Sequence, residues 1–201
     1  PGFFWPQHGI TEEALRDAGF DEGRIVWLAE PHVSGAEVRR HLGDAAERLV
    51  GSVFTPVGDE DLYRFAKTVG GEQHLAELDV SEEQKGWILS QYRDRALVRL
   101  PDGTYAPTWT FRDCSRYRTL GDGEKERFEE LVARSGTASN ELWATHGRRV
   151  LGVLQESSDM LPCAEDLGVV PEAVPRVLAD LGVLGLRIPR WTHYWERPGE
   201  P

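Results

Sequence analysis

Cysteine is scarce in this sequence, and the two that occur, Cys114 and Cys163, lie far apart in the chain. No disulfide framework can be built from them, and no second ligand stands at zinc spacing from either one. The six histidines (His8, His32, His41, His74, His146 and His193) are scattered, and no His-Glu-x-x-His string occurs. Long apolar runs are missing as well, so no membrane span is expected, and the N-terminus has no charged-then-apolar leader pattern. This cysteine usage fits a cytoplasmic protein, which is the expected location. Basic residues are outnumbered, 23 Lys and Arg against 34 Asp and Glu, for a net charge of −11. That balance argues against a nucleic-acid partner, which needs a basic face. Gly19, Gly23 and Gly70-Gly71 do not follow strands at the spacing of a phosphate-cradling loop, and no Ser or Cys sits in a nucleophile elbow. Internal repeats and low-complexity segments are absent too.

What remains is an ordinary globular composition, 40% hydrophobic and 28% charged, in 201 residues. That length supports one good core with room for a satellite subdomain. Thr11 is placed to cap a short helix that carries Glu12 and Glu13 at its positive end and stops near Gly19. Ser34-Gly35-Ala36-Glu37 reads as a capping box, followed by an apolar stripe of Val38, Leu42, Ala45, Ala46 and Leu49. Leu62, Phe65, Ala66 and Val69 read as a further helical stripe, ended by Gly70-Gly71. Ser81-Glu82-Glu83-Gln84 is a second capping box, opening a helix through Trp87, Ile88 and Tyr92. The period then changes. Residues 96–100 and 104–109 predict a hairpin around Pro101-Asp102-Gly103, with Pro107 on an edge. Two helices are expected next, over about 123–134 and 140–156. On the second, Trp143, His146, Val150, Leu151 and Leu154 share a face, where His146 would be a core histidine.

The stretch that organises the C-terminal part is Leu161-Pro162-Cys163-Ala164-Glu165-Asp166-Leu167-Gly168-Val169-Val170-Pro171. It reads as a buried strand that delivers a carboxylate to its C-terminal end, followed by a turn and a helix-opening proline. Cys163 is then a small apolar filler. Val174, Val177, Leu178 and Leu181 recur at helical spacing, Gly182 is a stop, and Leu184-Gly185-Leu186-Arg187-Ile188-Pro189 reads as the next strand. The expected fold class is therefore α/β: a β–α–β unit, the repeat of a (β/α)8 barrel or of a doubly wound sheet.

The string from Ser158 to Pro171, with Leu184-Gly185-Leu186-Arg187-Ile188, resembles the amylomaltase or disproportionating-enzyme family, the 4-α-glucanotransferases of glycoside hydrolase family 77. Phe3, Phe4, Pro6 and Thr11-Glu12-Glu13-Ala14-Leu15 resemble the start of a long insertion found in some members. The resemblance implies part of a (β/α)8 barrel, with residues 1–138 as a mainly helical insertion carrying the hairpin near 96–110. Residues 139–201 would be a barrel segment of helix, strand, helix and strand. It implies an α-glucan or maltooligosaccharide substrate, and Glu165 as the general acid/base of a retaining transfer. Such a transfer needs two carboxyls about 5–5.5 Å apart, one as nucleophile. No metal or organic cofactor is implied.

The family's nucleophile lies in an Arg-x-Asp-His string. Here Arg16-Asp17, Arg93-Asp94 and Arg112-Asp113 are not followed by His, and no His-Asp occurs. With ends that fall mid-motif, at Pro1-Gly2-Phe3-Phe4-Trp5-Pro6 and Arg197-Pro198-Gly199-Glu200-Pro201, the chain is expected to be an inactive piece whose partner is the rest of a parent enzyme.

From the residues alone, the bland accounts stand beside these. Glu165 and Asp166 can be an ordinary acidic pair at a strand–helix junction, with Asp166 capping local N–H groups. Arg187 can hold a carboxylate or sugar hydroxyl, or can fill a core ion pair. Trp191, Tyr194 and Trp195 can be a sugar platform or packing. The other class of function left open is a noncatalytic carbohydrate-binding or helical interaction domain. Within the enzyme class, a hydrolase of the same clan also remains open.

Overall fold

A computed structural model describes residues 7–165 and 170–186, which divide into two compact units. One comprises residues 9–132. The other joins residues up to His8 with those from Ala133 onward.

In the first unit, local chemistry sets most element boundaries. Helix α1 (Glu12–Asp17) is capped by Thr11, whose hydroxyl accepts from the Ala14 N–H. Asp21 caps α2 (Glu22–Ala29) in the same way. Strand β1 (His32–Ser34) leads to α3 (Gly35–Leu42), where Ser34 accepts from the Glu37 N–H. The apolar stripe that follows is fully buried but does not lie on one helix. Gly43 adopts φ +52°, and a separate α4 (Ala45–Leu49) begins after it. A positive φ is open to glycine without a Cβ penalty, so the chain turns there.

The expected helix over Leu62–Val69 is instead β3 (Leu62–Phe65). It is the central strand of an antiparallel sheet ordered β1-β3-β2, with β2 at Phe54–Pro56. Tyr63 and Phe65 both meet the ring of Phe54 from this strand. Pairing on both edges outweighs a four-residue coincidence with helical spacing. Helices α5 (Glu72–Ala76) and α6 (Glu82–Arg93) follow. Ser81 and Gln84 form a reciprocal capping box at the head of α6.

The hairpin is β4 (Leu97–Arg99) and β5 (Tyr105–Pro107), paired antiparallel. Gly103 takes φ +85° and donates to the Leu100 carbonyl, while Asp102 accepts from both the N–H and the hydroxyl of Thr104. This is a three-residue hairpin loop with glycine at the left-handed position. A 3₁₀ turn (Phe111–Asp113) and α7 (Ser115–Arg118) lead into α8 (Asp122–Glu156).

Two cores stabilise this unit. Leu15, Phe20, Leu28, Leu97, Phe111 and Phe128 anchor one; Val33, Val38, Leu42, Phe54, Leu75 and Ile88 anchor the other. Each fully buried side chain of this size contributes roughly 1.5–3 kcal/mol.

Helix α8 is one continuous element of 35 residues, not the expected two, and runs from the first unit into the second. Gly136 does not end it: an interior glycine costs only about 1 kcal/mol against alanine. In the second unit its packed face carries Ala144, Gly147 and Leu151; Leu151 belongs to the expected face, whereas Ala144 and Gly147 do not. His146 is exposed, not a core histidine, and Val150 and Leu154 are 46% and 54% exposed. Ala144 packs with Ala173 and Val177 of α9 (Ala173–Leu181), and Arg148 pairs with Asp180 at 2.7 Å. Gly182 ends α9 at φ +65°. Strands β6 (Cys163–Glu165) and β7 (Leu184–Leu186) flank that helix and pair in parallel.

Candidate active site

Glu165 is the last residue of β6 and lies opposite Leu186 in the parallel register. Its position follows from local sequence. An apolar approach through Leu161 and Pro162 extends the backbone, and Pro171 stands just before α9, where the Val174 N–H donates to the Pro171 carbonyl. The parallel pairing needs a crossover between the strands, and α9 supplies it. A carboxylate is thus carried at the C-terminal end of a parallel strand, where α/β enzymes place their chemistry.

The burial differs from expectation. Both strands are largely open: Cys163 and Glu165 are exposed with Ala164 half-buried between them, and Leu184 and Leu186 are 54% and 52% exposed. Alternation along β6 puts Cys163 and Glu165 on one face. That face is uncovered here, so Cys163 is not an interior filler. Burial of a strand depends on the layers packed against it, and among the described residues it is α9 that packs against β7. Among the described residues the Glu165 carboxyl makes no hydrogen bond or ion pair, and no cluster of three or more His, Cys, Asp or Glu could hold a metal ion. Asp166, Arg187 and Trp191, and the cluster mates Tyr194 and Trp195, lie outside the described residues.

The Arg-Asp pairs have structural partners. Arg93 forms a two-pronged pair with Glu72, with Nε to Oε1 at 3.0 Å, and this holds the Glu72 carboxyl below the usual carboxylate range. Asp94 accepts from the N–H and hydroxyl of Ser115 and lies 3.9 Å from Arg116. Arg112 pairs with Glu129 at 3.1 Å. Arg16 pairs with Glu12 one turn away.

Reasoning from sequence passed over Arg116, the most buried ionic group among the described residues. Its guanidinium stacks 4.2 Å over Trp27 and donates to the His32 carbonyl. Burial pushes the Arg116 pKa down, and burial also lowers that of His32. No local pattern announces this residue, because its partners lie about 20 to 90 positions away in the chain.

The fold and this strand-end carboxylate define the class, a mixed α/β segment built around a β–α–β unit of the kind α/β enzymes use. Within that class the chain belongs to the 4-alpha-glucanotransferase family, glycoside hydrolase family 77, whose model matches residues 46–201. A 4-alpha-glucanotransferase of rice (Oryza sativa subsp. japonica) is 28% identical over 222 aligned residues, covering all of this chain and 22% of its own length. A 4-alpha-glucanotransferase of Chlamydia pneumoniae is 46% identical over 88 residues, 44% of this chain and 14% of its own. That of Chlamydia trachomatis is 46% identical over 57 residues. The chain therefore spans about a fifth or less of the length of these relatives. No solved structure matches it.

Proposed function

We propose that this chain is a segment of a 4-α-glucanotransferase that moves α-1,4-glucan segments between maltooligosaccharides by a retaining double displacement, with Glu165 as general acid/base. The observation that carries this reading is the position of Glu165 at the end of β6, paired in parallel with β7 in a chain of this family. In the first half-reaction the protonated Glu165 carboxyl gives its proton to the departing glucosidic oxygen, while a carboxylate outside this chain takes the sugar covalently. In the second, the Glu165 carboxylate removes a proton from the incoming glucan hydroxyl. The β–α–β unit would be one repeat of a (β/α)8 barrel. Residues 1–138 would be the insertion and 139–201 the barrel segment, with Asp166, Arg187 and Trp191 contacting the substrate. The segment alone would be inactive, needing the nucleophile and a third carboxylate from the rest of its parent. No helix among the described residues is long and apolar enough to cross a membrane, and a cytoplasmic location is part of the proposal.

The test compares the parent enzyme with its Glu165→Gln form on maltotriose. Release of glucose and longer maltodextrins by the parent, reduced at least a thousandfold in the folded Gln form, is the expected result. A Gln form that keeps most of the rate would move the acid/base elsewhere. A parent that binds α-glucan without converting it would favour a noncatalytic binding domain.

A further inference from the structure

Trp27, His32 and Arg116 form a stack inside the unit of residues 9–132. The His32 imidazole lies 5.4 Å from the Trp27 ring at 27°, and the Arg116 guanidinium lies 4.2 Å over the same ring. Both partners of the indole are buried, His32 at 8% exposure and Arg116 at 7%. Three elements meet there. Trp27 stands on α2, whose Ile25 and Leu28 belong to the first core, and Arg116 lies on α7 beside Tyr117 of that core. His32 opens β1, whose Val33 belongs to the second core. The stack is therefore a seam between the two cores.

The charges around His32 make that seam sensitive to one proton. His32 Nδ1 lies 2.7 Å from the Glu30 carbonyl, an acceptor, so the neutral ring carries its proton on Nδ1 and leaves Nε2 bare. A second proton has to go on Nε2. The cation so formed faces two guanidinium groups. Arg116 on α7 donates to the His32 carbonyl, and Arg64 on β3 is the cross-strand partner of His32. Glu30, in the preceding loop, is the carboxylate beside the ring, and it already lies 3.6 Å from Arg64. Asp94, just past α6, lies 3.9 Å from Arg116 Nε, which has no hydrogen-bond partner among the described residues. Glu37 of α3 also faces Arg116. Burial first, with Arg116 and Arg64 adding to it, holds the His32 pKa below the ordinary 6.5 in spite of the Glu30 bond. Folding thus favours the neutral ring. Its contribution to stability is complete above pH 6.5 and is lost as pH falls through the lower folded-state value.

Strand β1 is the element able to yield. It is three residues long and lies at the sheet edge, paired with β3 alone. We propose that His32 is an acid-sensitive latch: uptake of a solvent proton on Nε2 detaches β1 from β3 and from Arg116, and so uncouples the two cores. Arg116 keeps its place, because the indole face and Asp94 still hold it after the His32 carbonyl has left. The rest of each core stays packed, since only Val33 of the second core is carried on β1. Short, edge-paired segments of this kind open at lower free energy than the cores they border.

The test follows two observables of this 201-residue chain from neutral to mildly acidic pH. One is the His32 Cε1–H resonance, assigned through the backbone; the other is hydrogen exchange over residues 30–36, read by mass spectrometry as protection factors. The resonance should titrate below the ordinary histidine value. Protection over 30–36 should fall about tenfold or more in step with it, while the β4–β5 hairpin keeps its own. In His32→Asn, whose amide can replace the Nδ1 donor but takes up no proton, that fall should disappear. Should the Asn form fail to fold, the wild-type readings still decide. A His32 midpoint at or above the ordinary value overturns the proposal, as does protection over 30–36 that does not follow the titration. A fall that persists in folded His32→Asn assigns the acid sensitivity to Glu30, Glu37 or Asp94, and also overturns it. Protection lost across the hairpin at the same pH is global acid unfolding and overturns the latch too.

Discussion

Arg24 and Glu124 meet in a two-pronged ion pair across 100 residues of chain, with Nε to Oε1 at 2.8 Å and Nη2 to Oε2 at 2.7 Å. Glu124 also accepts from the Gly121 N–H, so it caps the start of α8 while tying that helix to α2. The Arg24 bond, and then the Gly121 bond, pull the Glu124 pKa from 4.5 down to about 2. Between those values the unfolded chain takes up a proton that the folded chain refuses. The stabilisation is therefore full above about pH 4.5 and fades as pH falls toward 2. Glu124→Gln should lower stability by about 1–2 kcal/mol at pH 7, a range that allows for solvent screening of a partly exposed pair. Urea midpoints of the two proteins should differ at pH 7 and converge near pH 2. A gap that persists unchanged in acid would mean that the carboxylate charge is not what Glu124 contributes.

The continuity of α8 rests on a glycine that does not break it. Gly136 is exposed, lies mid-helix, and has open space where a Cβ would sit. Gly136→Ala removes backbone freedom from the unfolded chain and adds nothing that clashes. It should raise stability by about 0.5–1 kcal/mol, read as a higher urea midpoint with unchanged slope. A destabilised variant would show that the helix is interrupted at this point.

The same glycine shows where sequence reading works and where it stops. Thr11, Ser34 and Ser81 announce their helices because a cap is a bond between residues three apart, fully contained in the local string. The hairpin is legible for the same reason: Asp102 and Gly103 build the turn from their own side chain and φ. Strand β3 is not legible, because Leu62–Phe65 becomes a strand only when β1 and β2 pair with it from either side. Helix α8 is not legible as one element, since an interior glycine such as Gly136 weakens a helix without ending it. At the candidate site, the apolar run and Pro171 foretell a strand ending at Glu165, and the parallel partner follows from α9. Burial of Cys163 does not follow, since exposure depends on layers that a single strand cannot specify.

That exposure has a direct chemical readout. Cys163 is exposed on β6, whereas Cys114 is buried and burial pushes its thiol pKa up. Thiolate is the reactive form, so a disulfide reagent such as DTNB should modify one thiol quickly in the folded chain and the second only on unfolding. Cys163→Ser should abolish the fast phase and leave the slow one. A fast phase that survives this substitution would place Cys114 within reach of solvent.

Tyr117 carries the alkaline counterpart of the Glu124 effect. Its ring packs edge-on against Phe111 in the first core, and its hydroxyl donates to Glu129, which also accepts from Arg112 at 3.1 Å. Burial first, then the hydrogen bond to Glu129 and that carboxylate's charge, push the phenol from 10 up to about 12. The folded chain holds this proton more tightly than the unfolded one. Stability from the group is therefore complete below about pH 10 and is lost as pH rises through 12. Absorbance at 295 nm followed against pH should contain a component near pH 12 that disappears in Tyr117→Phe. In Glu129→Gln, where the acceptor carbonyl remains but the negative charge is gone, that component should move toward 10. If Tyr117→Phe instead removes a component near 10, the phenol is hydrated and the contact with Glu129 does not govern it in solution. A Glu129→Gln form whose late component stays near 12 would assign the whole shift to burial within the ring cluster.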